Sequence, residues 1–261
     1  MKITRLVVGV LVVAAYASLA GAEIINNVAG IGGDVVVQRN SATVNDLFLR
    51  IKNQSAEAGG AGENNDRVGL IKFDLSGLTE AVTDAIVRLE LPRGASTGQS
   101  GNTFDAGETL FLYGIPDLAA DEDFNEATVT FANSPYVTGN GSVTNPRPGT
   151  DMTANSVNDD LATLLDTHTF AAESDAGDLV DFRSAALTAF LQADTNDIAT
   201  FILTVSQSNA AKTPVFNSDT GTGATGLPPT LLTNDNVPEP TSFALGCLTG
   251  LCLLAKRRRV E

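Results

Sequence analysis

Between Asp34 and Thr233 the chain is a succession of short apolar, β-branched or aromatic runs separated by clusters of Gly, Asn, Asp, Ser and Pro. The runs are Asp34–Gln38, Asp46–Ile51, Val68–Asp74, Ala85–Leu91, Thr109–Ile115, Thr128–Phe131, Ala199–Ser206, Pro214–Asn217 and Thr230–Thr233. Several alternate. Val87, Leu89 and Leu91 fall on one side with Arg88 and Glu90 on the other, and Phe201, Leu203 and Val205 oppose Thr204 and Ser206. A period of two sends alternate side chains to opposite faces, so these runs read as half-buried strands. Many short strands with turn-rich gaps predict an all-β fold, a β-sandwich of jelly-roll type, with an open barrel as the alternative.

One segment breaks the pattern. Phe182, Ala186, Ala189, Phe190 and Ala193 share a face at helical spacing, with Ser184 or Asp181 available as N-cap. This predicts one short helix capping an end of the sandwich. The stretch from about 138 to 177 is polar and irregular and reads as a long loop or insertion. No repeat of fixed period stands out.

The two ends differ from the body. Residues 1–22 have the form of a secretory signal peptide: Lys2 and Arg5, a run of apolar residues and Gly from Leu6 to Ala15, and the small residues Ala20 and Ala22 flanking Gly21 before the expected cleavage point. At the other end Val237-Pro238-Glu239-Pro240 precedes an apolar segment over 242–255 and the basic cluster Lys256-Arg257-Arg258-Arg259. As a helix that segment reaches only about 21 Å, less than a hydrocarbon core of about 30 Å. Gly246 and Gly250 give it a small face for close helix packing, and the basic cluster favours a cytoplasmic C-terminus. The expected product is a β-domain over 23–235 held outside the inner membrane.

The tail resembles the PEP-CTERM sorting signal of Gram-negative bacteria, which joins a Val-Pro-Glu-Pro motif, a short transmembrane helix and an Arg-rich end. The likeness covers Val237 to Arg259. It implies recognition and removal by an exosortase, with Pro238, Glu239 and Pro240 as the processing signal, in bacteria that make exopolysaccharide.

Charge and composition then narrow the chemistry. The 261 residues hold 16 Lys and Arg against 31 Asp and Glu; residues 23–240 alone hold 10 against 30, a net −20. So acidic a chain repels nucleic-acid phosphates, which excludes a nucleic-acid partner. Both cysteines, Cys247 and Cys252, lie in the tail helix, so the exported part has no disulfide, thiol nucleophile or thiolate metal site. The one histidine, His168, stands without a Gly-x-Ser-x-Gly elbow. Gly221 to Gly226 spells GxGxxG, but Pro228 and Pro229 forbid the helix that a dinucleotide site requires.

The order of motifs in the body is similar to the DNRLRE domain, related to carbohydrate-binding modules that include alginate binders. Asn65-Asp66-Arg67-Val68-Gly69-Leu70-Ile71-Lys72-Phe73-Asp74-Leu75-Ser76 resembles that family's strand ending in Phe-Asp-Leu-Ser. Ala85 to Leu91 follows at the expected distance, and Phe124 to Pro135 follows the pattern Trp-x-Glu-x-x-Val-Thr-Trp-x-x-x-Pro with Phe124 and Phe131 in place of Trp. The late helix and the stretches Phe216–Asp219 and Pro229–Leu231 correspond as well. The resemblance spans about 28 to 233 and implies the sandwich fold and a link to glycans.

These readings converge on an exported, non-catalytic surface or matrix protein associated with extracellular polysaccharide. A lyase or glycosidase, and a purely structural protein without glycan affinity, are the alternatives. With no Trp in the chain, an aromatic-lined sugar cleft is poorly supplied. The candidate sugar contacts are Arg67, Lys72, Arg88, Arg93 and Tyr113. Structural calcium is the expected inorganic partner, on Asp34 with Asp219 or on the acidic run Asp121-Glu122-Asp123. The net charge favours a neutral glycan, or an acidic one bridged by calcium.

Overall fold

The computed structural model describes residues 23–27, 32–38, 48–53, 66–93, 103–117, 122–131, 133–134, 157, 162–206, 212–219 and 226–234. In chain order the elements are β1 (Glu23–Asn26), β2 (Gly33–Gln38), β3 (Phe48–Arg50), β4 (Arg67–Asp74), β5 (Ala85–Glu90), β6 (Thr109–Gly114), β7 (Thr163–Thr169), β8 (Leu179–Phe182), α1 (Ala185–Gln192), β9 (Ile198–Val205), β10 (Val215–Asn217) and β11 (Thr230–Thr233). Over the described residues the fold is all-β with one helix.

Two antiparallel sheets pack face to face. One has the order β1-β11-β5-β8, the other β2-β4-β9-β6-β7, and β3 pairs with β10 beside them. The alternating runs explain the packing. Val87 and Leu89 of β5, Val180 and Phe182 of β8, and Leu231 of β11 meet Ile71 and Phe73 of β4, Leu110 and Leu112 of β6, and Phe201 and Leu203 of β9 in one core. Burying each such side chain contributes about 1.5–3 kcal/mol. At one end Phe104 stacks on Phe170, with ring centroids 4.6 Å apart, and Phe216 lies against Phe104 at 5.3 Å.

The five-stranded sheet is buried on its other face too. Val35, Val37, Val68, Leu70, Tyr113 and Ile202 form a second core there with Ile115, Phe124, Val129, Phe131, Val157 and Ala162. This corrects one expected strand. Thr128–Phe131 is a series of turns whose Val129 and Phe131 both reach down to the sheet. Two asparagines hold it off the ladder: the Asn125 side chain accepts from the Ala127 N–H (2.9 Å), and the Asn133 side chain accepts from the Thr130 N–H (2.5 Å). Such local bonds compete with strand pairing.

Three strands lie outside the expected set. β7 falls inside the stretch expected to be a loop, pairs with β6 and forms the sheet edge; only Leu165 along it is fully buried. β1 and β8 are four-residue edge strands of the other sheet.

The helix forms where expected, but it buries a different face. Leu187 and Leu191 enter the core, Phe190 packs against it, and Ala186, Ala189 and Ala193 are exposed. Phe182 belongs to β8. Of the two candidate caps, Ser184 does the work: its Oγ accepts from the Leu187 N–H (3.0 Å) and donates to the Leu165 carbonyl (2.6 Å), fastening α1 to β7.

Candidate functional site

Among the described residues, one end of the five-stranded sheet carries a polar network that fastens a crossing segment to it. From β6 the chain continues through Ile115, whose N–H bonds the Thr200 carbonyl (3.0 Å), to Asp117. Residues 122–127 then cross the sheet. Thr200 of β9 donates its hydroxyl to the Glu122 carbonyl (2.7 Å), and Lys72 of β4 reaches both Asp123 Oδ1 (2.6 Å) and the Phe124 carbonyl (2.9 Å). Glu126 settles against β2, accepting from the Asp34 N–H. Because Thr200, Lys72 and Gly33 are register partners, the attachments form one row across β9, β4 and β2. Glycine at 33 leaves room for this carboxylate: a Cβ would lie 1.7 Å from Glu126 Oε1 and would push the Glu126 side chain aside.

Beside this crossing, oxygens of Asp117, Glu122 and Asp194 lie within 4.8 Å of one another. The turn from 194 to 197, between α1 and β9, organises them. Asp117 Oδ2 accepts from the Thr195 N–H (2.7 Å) and hydroxyl (2.8 Å), Glu122 Oε2 from the Asn196 side chain (2.7 Å), and Asp194 Oδ1 from the Asp197 N–H (2.9 Å). Asp197 takes φ of 64°, closing the turn. Glu122 is 2% exposed, and its Oε1 has no hydrogen-bond partner. Burial, together with the charges of Asp117, Asp194 and Asp123, overrides the Asn196 bond and pushes its carboxyl up to about 7. Asp194 is raised by burial first and by Asp117 and Asp197 after it.

The expected calcium residues are distributed differently. Asp34 and Asp219 do come together, but the bond between them runs from the Asp219 N–H to Asp34 Oδ2 (2.9 Å). The Asp34 carboxylate also accepts from Ser218 Oγ (2.6 Å) and from the Asn27 side chain. It joins the ends of β1 and β10 to the start of β2; burial raises its pKa despite these three bonds. Asp123 is the ion-pair partner of Lys72, and Asp121 lies outside the described residues.

The expected sugar contacts are likewise engaged within the domain. Lys72 is 7% exposed in its side chain and holds the crossing segment. Arg88 makes a two-pronged pair with Asp181 (2.7 and 2.6 Å) across β5 and β8, and Arg93 pairs with Glu90. Arg67 bonds the Gln38 side chain (3.0 Å). Tyr113 is wholly buried in the second core, a correction to its reading as a sugar contact: its position on β6 faces the layer formed by Phe124 and Phe131. His168, on β7, packs edge-on against Phe170. The processing residues Ala20, Ala22, Val237, Pro238, Glu239 and Pro240 lie outside the described residues.

The triad of Asp117, Glu122 and Asp194 was not legible as a set, because it is assembled from two loops far apart in sequence. The one local signal is the turn-forming run Asp194-Thr195-Asn196-Asp197. No protein-family model matches the chain, and none of the curated proteins matches it. Among the described residues no helix is long and apolar enough to cross a membrane; the segment 242–255 lies outside them.

Proposed function

We propose that the chain is an exported, non-catalytic surface or extracellular-matrix protein. In this reading a leader over 1–22 directs export, and an exosortase-type enzyme processes the tail at 237–240. The membrane helix 242–255 anchors the protein until then, and the β-domain associates with extracellular polysaccharide. The observation that carries the reading is the bracketing of one all-β domain by that leader and that three-part tail. The non-sequential strand order of the two antiparallel sheets supports a jelly roll.

The geometry favours binding or scaffolding over turnover. Glycosidase carboxylates stand about 5–5.5 Å apart in retaining enzymes and about 6.5–9.5 Å apart in inverting ones, facing a sugar cleft. Of the three carboxylates clustered here, Glu122 is buried rather than open to solvent. Lys72, Arg88 and Arg93 are spent on internal carboxylates, which supports contact with a neutral glycan rather than direct capture of an anionic one.

Two readouts test this in a bacterium that supplies the processing enzyme. The wild-type chain is expected to lose its tail and to reach the surface or medium; Pro238→Ala with Glu239→Ala should accumulate as a larger, membrane-bound species. Identical mass and location for the two would overturn the sorting assignment. The exported protein is then offered to neutral and acidic polysaccharides. Retention supports the glycan association, release of oligosaccharides replaces it with a lyase or glycosidase, and indifference to every glycan leaves a structural protein.

A further inference from the structure

We propose that Asp117, Glu122 and Asp194 bind one hard divalent cation, of calcium's size, which ties the arm leaving β6 to the turn between α1 and β9. The proposal is independent of export and of glycan association.

Three observations carry it. The first is spacing. Two oxygens bound to one calcium at about 2.3–2.6 Å are separated by at most about 5 Å, and oxygens from all three carboxylates already fall within 4.8 Å. The second is charge. Among the described residues the charged groups acting on Glu122 are Asp117, Asp194 and Asp123, all of one sign; Lys72 is held by Asp123 and the Phe124 carbonyl. A divalent ion at the convergence point reverses that repulsion.

The third observation is independent of the clustering. Glu122 is 2% exposed and directs one oxygen to Asn196, yet its second oxygen, Oε1, is buried without any donor. A buried carboxylate oxygen with no partner is costly, and native folds satisfy such atoms with a proton donor, a water or an ion. The turn supplies N–H and hydroxyl donors to one oxygen of each of the three carboxylates. This fixes their orientation as neighbouring hydrogen bonds do for metal-binding carboxylates. Asp117 and Asp194 are only half-buried, so an ion has a route in, and water can complete the six to eight oxygens that calcium takes.

The test uses the full-length protein in mild detergent, stripped of metal with a chelator and then titrated with calcium chloride alone. Wild type is expected to gain about 5 °C or more in Tm at saturating calcium. Glu122→Gln keeps the shape and the Asn196 contact while removing a charge. It should lose that gain and bind one calcium fewer by equilibrium dialysis. Without calcium it should melt no lower than wild type, since the repulsion is gone. That opposite pair of effects separates an ion site from a merely structural acid cluster. Exposed Glu173→Gln is the control and should leave the gain unchanged. If Glu122→Gln fails to fold, Asp117→Asn is held to the same criteria. A wild-type Tm indifferent to calcium, or a gain retained in the triad variant, would overturn the proposal.

Discussion

Lys72 donates to the main-chain carbonyl of Phe124 at 2.9 Å, so a strand lysine holds a crossing loop by its backbone. Its ammonium lies 5.0 Å from the Phe124 ring centroid and pairs with Asp123 at 2.6 Å. The two partners differ in exposure, 7% for the lysine side chain and 61% for the aspartate. Water can replace the first partner of Asp123 but not that of the Phe124 carbonyl.

Lys72→Met should therefore destabilise the domain by about 1–3 kcal/mol, through a carbonyl stripped of its donor. Asp123→Asn should cost less, about 1 kcal/mol, because the exposed side chain keeps an oxygen for the ammonium and Lys72 keeps the Phe124 carbonyl. Chemical denaturation of the two variants checks this. Equal losses would mean that the ion pair, rather than the carbonyl contact, holds the loop.

Gly114 ends β6 beneath the ring of Phe190, and a Cβ there would stand 2.6 Å from the ring. Phe190 in turn packs against Phe201 with centroids 5.5 Å apart, so the ring has little freedom to retreat. Gly114→Ala is expected to cost about 1–3 kcal/mol by overpacking. Adding Phe190→Leu should return part of that loss, a coupling that a double-mutant cycle measures. Additive effects would place the strain elsewhere.

Much of this architecture is written in local pattern, and the exceptions have definite causes. β5 and β9 are readable because each presents an apolar side to the shared core. β7 hides because an edge strand buries only Leu165, exposes Leu164 and spends the rest of its length on Thr, Asp and His. Residues 128–131 mislead in the opposite sense: a run rich in β-branched and aromatic residues is held as turns by Asn125 and Asn133. Ser184 is legible as a cap because capping is local. The carboxylate triad is not, since only the folded sheet brings 117 and 122 to the 194–197 turn.

The raised pKa of Glu122 carries a pH signature. In the folded, metal-free protein its carboxyl titrates at about 7, against 4.5 for an ordinary glutamate. Between these values the native state holds the proton more tightly than the unfolded chain. The stabilisation is thus fully present below about pH 4.5 and is lost as pH rises through 7. The expected loss is up to about 3 kcal/mol. Glu122→Gln should flatten this part of the profile. Denaturation with a chelator present, at pH 5 and pH 8, reads it directly; a wild-type slope unchanged in the variant would assign it to other carboxyls.

Phe124 and Phe131 decide between a sugar platform and a second core. They are 5% and 3% exposed, packed on Val35, Leu70, Tyr113 and Ile202 from the outer side of the sheet. A ring used for stacking on a sugar tolerates removal, because water replaces it in the unbound state. A ring that closes a core does not. Phe131→Ala is therefore expected to cost about 3–5 kcal/mol of stability, and Phe124→Ala to behave alike. Phe131→Trp, which adds bulk where Phe already fills the layer, should also destabilise, by about 1–3 kcal/mol, and gain no affinity for glycan. Thermal melts alongside polysaccharide retention separate the two roles. If Phe124→Ala keeps the wild-type Tm and loses retention, the ring belongs to a binding surface and the second core is closed without it.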